Sequence, residues 1–400
     1  MGTKKVNKEF LTDFAKLVEQ TLVPRFSNDT VRPCAEEDFQ EYRKILMRNL
    51  HSIESTLDAF VQNENQWTNE TKANLLKVLI VIGEQHSKNP WNTDEIVMFS
   101  HKLIPKICKI FDTVNLTQIL KDENIFISAI MFLRAKLMKD TWKSFPAAVV
   151  CYKWLLELVE RPLLKRHVSE VLPTALIILD DYVQENQKLG LECINVIVQH
   201  CLQSRALKNL NYDQVVFQAL ERMAHKAEPS MIIPLYSCIS NLLESMEYCE
   251  DSSNSFRWSK RDEISIILLS NMELQSNPQA RHAYVSSLKK VVARGKFAVW
   301  SERISMILAE YCEENTDVQV TNASLDFLEF FLAKYQPKGQ NFYITMYVSL
   351  LKLRYSLHWL TEEKLTEKVL HCINLLNELC PSMSEAVMSN SRIAAAMVPV

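Results

Sequence analysis

Glycine is nearly missing from this chain: five residues in 400, where a share of roughly 7% is usual. Parallel α/β enzymes need glycine in phosphate-cradling loops and tight turns, so a chain this poor in it is not built that way. No GxxxxGK[ST], GxGxxG or GxSxG stretch occurs, and neither does a CxxC pair or HExxH. Those gaps remove the common signatures of nucleotide loops, nucleophile elbows and zinc sites. The expectation is a protein with no metal, no cofactor and no catalytic centre. Long apolar runs are absent too, so no membrane span is predicted. The start, "MGTKKVNK", has no apolar h-region and is not read as a secretory signal. Gly2 is followed by Val6 where a myristoylation motif wants Ser or Thr. With a net charge of -3 and a pI of about 6.3, the chain lacks the basic face that nucleic acid requires.

What is present is apolar and periodic. Hydrophobic residues make up 48% of the chain and charged ones 23%. The ten cysteines are scattered through apolar helical patterns, as at Cys108, Cys151, Cys193 and Cys238. That is how reduced, buried thiols are distributed, and it points to a cytoplasmic or nuclear location. At 400 residues the chain exceeds one small core, leaving two or three domains or a repeat array.

The stretch "VLPTALIILDDYVQENQKLG", 171–190, shows which. Val168, Val171, Leu172, Ala175, Leu176 and Leu179 recur at helical spacing. Pro173 lies on that helix, removes a backbone donor and kinks it. Asp180 and Asp181 then turn the chain and cap the next helix. That second helix carries Leu189, Cys193, Val196 and Ile197 on one face and Leu191, Ile194 and Val198 on another. It is therefore expected to be buried on two sides, as a helix lining the inner face of a solenoid is. "LIPKICKIFD" (103–112) repeats the pattern around Pro105, and "MIIPLY" repeats its start at Pro234. Capped second helices recur from Asp181, Asn277 and Asp317, at a step of about 40 residues, which is the HEAT/armadillo period.

Helical periodicity runs almost without break from residue 8 to residue 396, with single helices expected over 116–138, 165–179, 184–203, 361–380 and 383–396. Caps are expected at Asp94 and Thr361, and first-turn prolines at Pro146 and Pro229. The fold class is all-α: a HEAT/armadillo-like α-solenoid of antiparallel helix pairs. An N-terminal region (1–130), a central set of repeats (131–250) and a C-terminal set (251–400) form one continuous solenoid. The polar interval "ESMEYCEDSSNSFRWSKRDE" (244–263) reads as a mobile loop between repeats and a site for phosphorylation or proteolysis.

Single residues have bland readings beside sharper ones. Trp154 falls in a stripe with Ala147, Val150, Cys151 and Leu158 and reads as core. Trp142 precedes that helix in a loop, where it either plugs a seam between repeats or anchors a partner. Arg161, before Pro162, is expected to bond last-turn carbonyls. Paired acids such as Asp180 and Asp181 suit acid–base chemistry, but a helix start directly after them favours a turn and N-cap. Asp181 and Tyr182 are both expected to act through stability, Tyr182 as a buried aromatic. The uncharged tail "SRIAAAMVPV" and the two-sided helices point to a subunit that a partner covers.

The same residues carry a family resemblance. "TWKSFPAA", "RP", "VLPTAL", "DDYVQENQKLG" and "LEC" resemble the central signature of the Tti-two family, the TELO-two-interacting protein two subunit of the TTT complex. The matching positions begin with Trp142, Lys143, Pro146, Trp154, Arg161, Pro162 and His167. They continue through Val171, Leu172, Pro173, Asp180, Asp181 and Tyr182 to Glu185, Asn186, Leu189, Gly190 and Cys193. The strong match covers about 137–200, with a weaker one near "RDEISIILLSNME" and "RHAY". What the resemblance implies is a non-enzymatic scaffold that binds a Tti-one-type HEAT-repeat subunit and, through it, a Tel-two subunit. Such an assembly works with the Hsp-ninety and R-two-T-P machinery to mature phosphatidylinositol-3-kinase-related kinases of the TOR, ATM, ATR and DNA-PK type. The residues themselves leave open a karyopherin-like transport adaptor, although karyopherins are longer and more acidic.

Overall fold

The computed structural model describes residues 8–26, 32–62, 69–248, 258–293, 297–313, 317–357, 363–382 and 389. Among them every regular element is helical. They form two compact units, 1–210 and 211–400, and the division falls inside the segment expected to hold the central repeats. The predicted helix 383–396 apart from residue 389, the cap at Thr361, residues 249–257 of the 244–263 interval and the tail "SRIAAAMVPV" lie outside the described residues, while the ends of that interval, 244–247 and 260–263, are helical.

Unit 2 is a regular stack. Its first pair is α11 (Tyr212–Ala224) and α12 (Pro229–Glu247), its second α13 (Lys260–Glu273) and α14 (Pro278–Val292). Pairs three and four are α15 (Ser301–Glu313) with α16 (Val318–Tyr335), and α17 (Gln340–Leu357) with α18 (Glu363–Leu379). The first helices pack on one another, α11 on α13, α13 on α15 and α15 on α17. The second helices do the same from α12 to α18, which makes two layers. First helices begin at steps of roughly 40–48 residues, the period of HEAT repeats. The sequence expectation of capped second helices holds here. Asn277 accepts from the Gln279 and Ala280 amides, and Asp317 from those of Gln319 and Val320. Each bond satisfies an orphan donor of a first turn.

Unit 1 is less regular. It runs α1 (Lys8–Thr21), α2 (Gln40–Gln62), α3 (Asn69–Gln85), α4 (Asp94–Ile110), the single turn α5 (Leu116–Ile119) and α6 (Glu123–Lys136). Then come α7 (Pro146–Leu158), α8 (Val168–Leu179), α9 (Gln184–His200) and the single turn α10 (Ala206–Asn209). α1, α3, α7 and α9 pack in succession as one layer, while α2 packs on α4 and α6 on α8. The layer order therefore reverses between the α3–α4 pair and the α6–α7 pair. The reversal coincides with a break in the helix expected over 116–138. Asp122 accepts a hydrogen bond from the Asn124 amide and starts α6 afresh. Apolar periodicity continues across that joint, so the pattern conceals the break. The cap of α4 is likewise Thr93, which accepts from the Ile96 amide, and Asp94 is the first helical residue.

The prolines fall where the repeat pattern places them: Pro105 inside α4, Pro173 inside α8 and Pro234 inside α12, with Pro146 and Pro229 opening α7 and α12. α8 and α9 meet closely. A Cβ on Gly190 would lie 2.4 Å from the Leu179 amide nitrogen, so only glycine permits this approach. Leu191, Cys193, Ile194, Ile197 and Val198 are fully buried on two faces of α9, as its pattern requires.

Candidate functional site

The site is built around the turn between α8 and α9. Asp180 ends α8, its amide bonded to the Leu176 carbonyl, and its side chain is exposed. Asp181 turns inward, its side chain 2% exposed. It is not the N-cap of α9, because Val183 holds that position without a side-chain cap bond. Instead the carboxylate gathers three donors. Lys143 Nζ donates to Oδ1 at 2.6 Å, the Tyr182 amide to Oδ1 at 2.8 Å and Asn186 Nδ2 to Oδ2 at 2.6 Å. Gln187 Nε2 reaches back to the Asp181 carbonyl at 2.6 Å. Burial works against the charged form of Asp181. The Lys143 ammonium, the Asn186 amide and the Tyr182 N–H outweigh it and hold its pKa below the usual carboxylate value.

Lys143 comes from a 3₁₀ turn, Trp142–Ser144, just before α7. Its ammonium lies 4.3 Å from the Tyr182 ring centroid and 5.6 Å from that of Trp142. Trp142 is buried, as a plug of a seam between repeats would be. Tyr182 is the opposite case. It was expected in the core and is 70% exposed, because its amide is drawn to Asp181 and its ring lies over Lys143. Arg161 also departs from expectation: Nη2 donates to Gln199 Oε1 on α9 and not to carbonyls of its own helix. It sits at the far end of α7 and takes no part in the site.

A cleft of about 270 Å³ opens beside this latch. Trp142, Lys143, Pro146 and Val150 form one wall, and Asp181, Glu185, Asn186 and Leu189 a second. Five of the eight residues singled out from sequence thus line one cavity, with Tyr182 bound to its lysine. The third wall was missed, because it comes from the N-terminal region, where no family motif is legible: Phe26, Pro33, Cys34, Pro90 and Trp91. The signal available was the pair of turn prolines in "RPC" and "NPW" with an aromatic close by. Phe39, stacked at 6.3 Å on Phe26 and edge-on at 5.9 Å to Trp91, backs that wall. Two further signature residues, Trp154 and Cys193, lie in the core. Trp154 stacks on His86 at 5.7 Å, and Cys193 is fully buried, its thiol pKa pushed up by that burial.

Asp181 is already committed to Lys143 and Asn186, while Glu185 stands exposed on the rim. Among the described residues no group of three or more His, Cys, Asp or Glu converges on a metal-sized space. An apolar floor with a small number of fixed polar groups suits the capture of a partner's side chains.

Fold and site together define an α-helical solenoid of the HEAT type. A crystal structure of importin beta shares the fold at a TM-score of 0.52 and 12% identity, covering 99% of this chain and 45% of that one. No family model matches the chain. The human protein named TELO2-interacting protein 2 is 25% identical over 283 residues, 66% of this chain and 54% of that protein. Its rat counterpart is 24% identical over 302 residues, 73% of this chain and 58% of that protein. These relatives bear out the resemblance to the Tti-two family that the signature residues carry. The chain spans a little over half the length of the curated relatives it matches. No helix among the described residues is long and apolar enough to cross a membrane.

Proposed function

We propose that this chain is a non-enzymatic scaffold or adaptor subunit of a TTT-type assembly, and that the unit 1 cleft is a surface through which it holds its partner. The observation that carries this reading is the convergence of Trp142, Lys143, Asp181, Glu185 and Asn186 on one cleft, with Tyr182 displayed beside it. A buried carboxylate, paired with a partly exposed lysine under an exposed aromatic, is a costly arrangement for stability alone. It fits a preorganised anchor at an interface. The relatives' name speaks of interaction with TELO2 and supports the same direction. In this reading a Tti-one-type HEAT-repeat subunit is the direct partner and a Tel-two subunit joins through it. Kinases of the TOR, ATM, ATR and DNA-PK type are clients that the Hsp-ninety and R-two-T-P machinery matures, in the cytoplasm or nucleus.

The experiment is co-expression of the full chain with a Tti-one-type subunit, followed by depletion of the chain from cells. Co-purification, with falling kinase abundance on depletion, is the expected result. A lone monomer that never co-purifies, with kinase levels unchanged, contradicts the proposal.

A further inference from the structure

Two of the cleft's three walls, the N-terminal one and the one led by Trp142, are tied to one buried residue outside it. Glu84, near the end of α3, is 1% exposed. Its Oε2 accepts the Val23 amide at 2.8 Å, in the stretch after α1 that leads to Phe26. Phe26 in turn donates its amide to the Ser144 carbonyl at 2.8 Å, joining that stretch to the Trp142–Ser144 turn. The Glu84 carbonyl accepts Trp91 Nε1 at 2.8 Å. Glu84 Oε1 faces Lys136 Nζ at 3.7 Å. Lys136 ends α6, where its carbonyl accepts the Thr141 hydroxyl at 2.9 Å. We propose that Glu84 is the positioning residue of the cleft, and that its charge state sets how firmly these two walls are held together.

The groups around it leave Glu84 as the one that changes. From α2 it faces Tyr42, whose hydroxyl donates to the Thr21 carbonyl, and from α7 it faces Cys151. Burial raises both of their pKa values, and both stay neutral at physiological pH. Lys136 is the cation on α6, partly open to solvent at 20% exposure. Glu19 of α1 and Glu41 of α2 line the solvent side of the groove next to Lys136. His86, two residues on, is pushed below its usual pKa mainly by burial, and His101 of α4 contacts the His86 carbonyl.

Burial raises the Glu84 carboxyl to about 7, although Lys136 and the Val23 amide pull the other way. A carboxyl whose folded pKa lies above its unfolded value favours the closed state while protonated, and that contribution is lost as pH rises through the folded pKa. Local opening of the walls hydrates the carboxylate, so rising pH favours opening. The cleft is therefore held most firmly at acidic pH, loosens as pH rises toward about 7 and loosens no further above it. Any effect on partner affinity rests on the cleft being a partner site, but the coupling itself is measurable without a partner.

The test is amide hydrogen exchange of the full chain by mass spectrometry, corrected for intrinsic rates, from about pH 5 to pH 9. Protection of 22–26 and 142–145 is expected to fall as pH rises from about 5 to about 7, by up to tenfold per pH unit, the limit that one titrating carboxyl imposes. Above about 7 it is expected to be flat, because both states are then ionised. Glu84→Gln keeps an acceptor for the Val23 amide and is expected to abolish the pH dependence while preserving the protection. Lys136→Met removes the opposing charge and extends the fall to higher pH before it levels off. Segments of α16 serve as the control and stay flat. Protection independent of pH in the parent chain, or an unchanged profile in Glu84→Gln or Lys136→Met, overturns the proposal.

Discussion

Units 1 and 2 are assembled from the same kind of helix pair but place their polar residues differently. In unit 2, charged side chains act as struts repeated along the stack. Arg261 of α13 is bidentate to Glu247 of α12 at 2.6 and 2.8 Å and also donates to the Val291 carbonyl of α14. Arg281 of α14 reaches Glu310 of α15, Lys352 of α17 reaches Glu313 of α15, and Lys368 of α18 reaches Asp326 of α16. In unit 1 the polar groups converge: Glu84 gathers three segments, and Asp181 gathers three donors at the end of a cleft. Distributed struts hold a stack in register. Converged networks fix the shape of one place, and a half-satisfied network costs more than an apolar core. The difference supports placing the proposed partner site in unit 1.

The contrast breaks most sharply at the glycines. Gly190→Leu forces a side chain into the Leu179 backbone and is expected to cost more than about 3 kcal/mol, the upper range for overpacking where backbone must move. Gly339, beside α17, lies in open space: a Cβ there would meet nothing within 4 Å. Gly339→Ala is expected to stay within about 0.5 kcal/mol of the parent. Urea melts of the two variants give the comparison directly.

Asp181→Ala comes next. It strands Lys143 and the donors of Tyr182 and Asn186, at a cost toward the lower end of about 3–5 kcal/mol because Lys143 still reaches solvent. The depressed pKa of Asp181 adds a signature in pH. Its contribution is present above the ordinary carboxylate pKa and is lost as pH falls through the lower folded value. The stability gap between parent and Asp181→Asn therefore narrows on acidification below about pH 4. A constant gap rules the latch out. In unit 2, removing one cap with Asp317→Ala is expected to cost only about 0.5–2 kcal/mol, by thermal melting.

How much of this was legible in the sequence follows the same division. The proline inside α8, the aspartate turn and the two-faced α9 are local patterns, and local patterns survive without coordinates. So do the caps at Asn277 and Asp317, each next to the amides it serves. The joint at Leu120–Asp122 was hidden because apolar spacing continues through it. Trp91 and Phe26 belong to the cleft through packing of α3 against α7, which no spacing within 1–130 displays. Tyr182 misled because tyrosine suits core and surface equally. Only its neighbours, Asp181 and Lys143, decide which it is.

Unit 2 has one feature that competes with the cleft as a docking surface. Met306 of α15 and Ile344, Val348 and Tyr355 of α17 are all exposed, on two helices that pack side by side. The most direct test sets one face against the other: the affinity of the full chain for a purified Tti-one-type subunit, measured for Tyr182→Ala and for Tyr355→Ala. Tyr182→Ala removes a cation–π contact of about 0.5–1 kcal/mol at an exposed site, so it is expected to melt almost as the parent does. It is expected to weaken binding at least tenfold, a loss of about 1.4 kcal/mol typical of an interface anchor, while Tyr355→Ala binds as the parent does. Parent-like binding by Tyr182→Ala, with binding lost in Tyr355→Ala, would contradict the account and move the interface to unit 2.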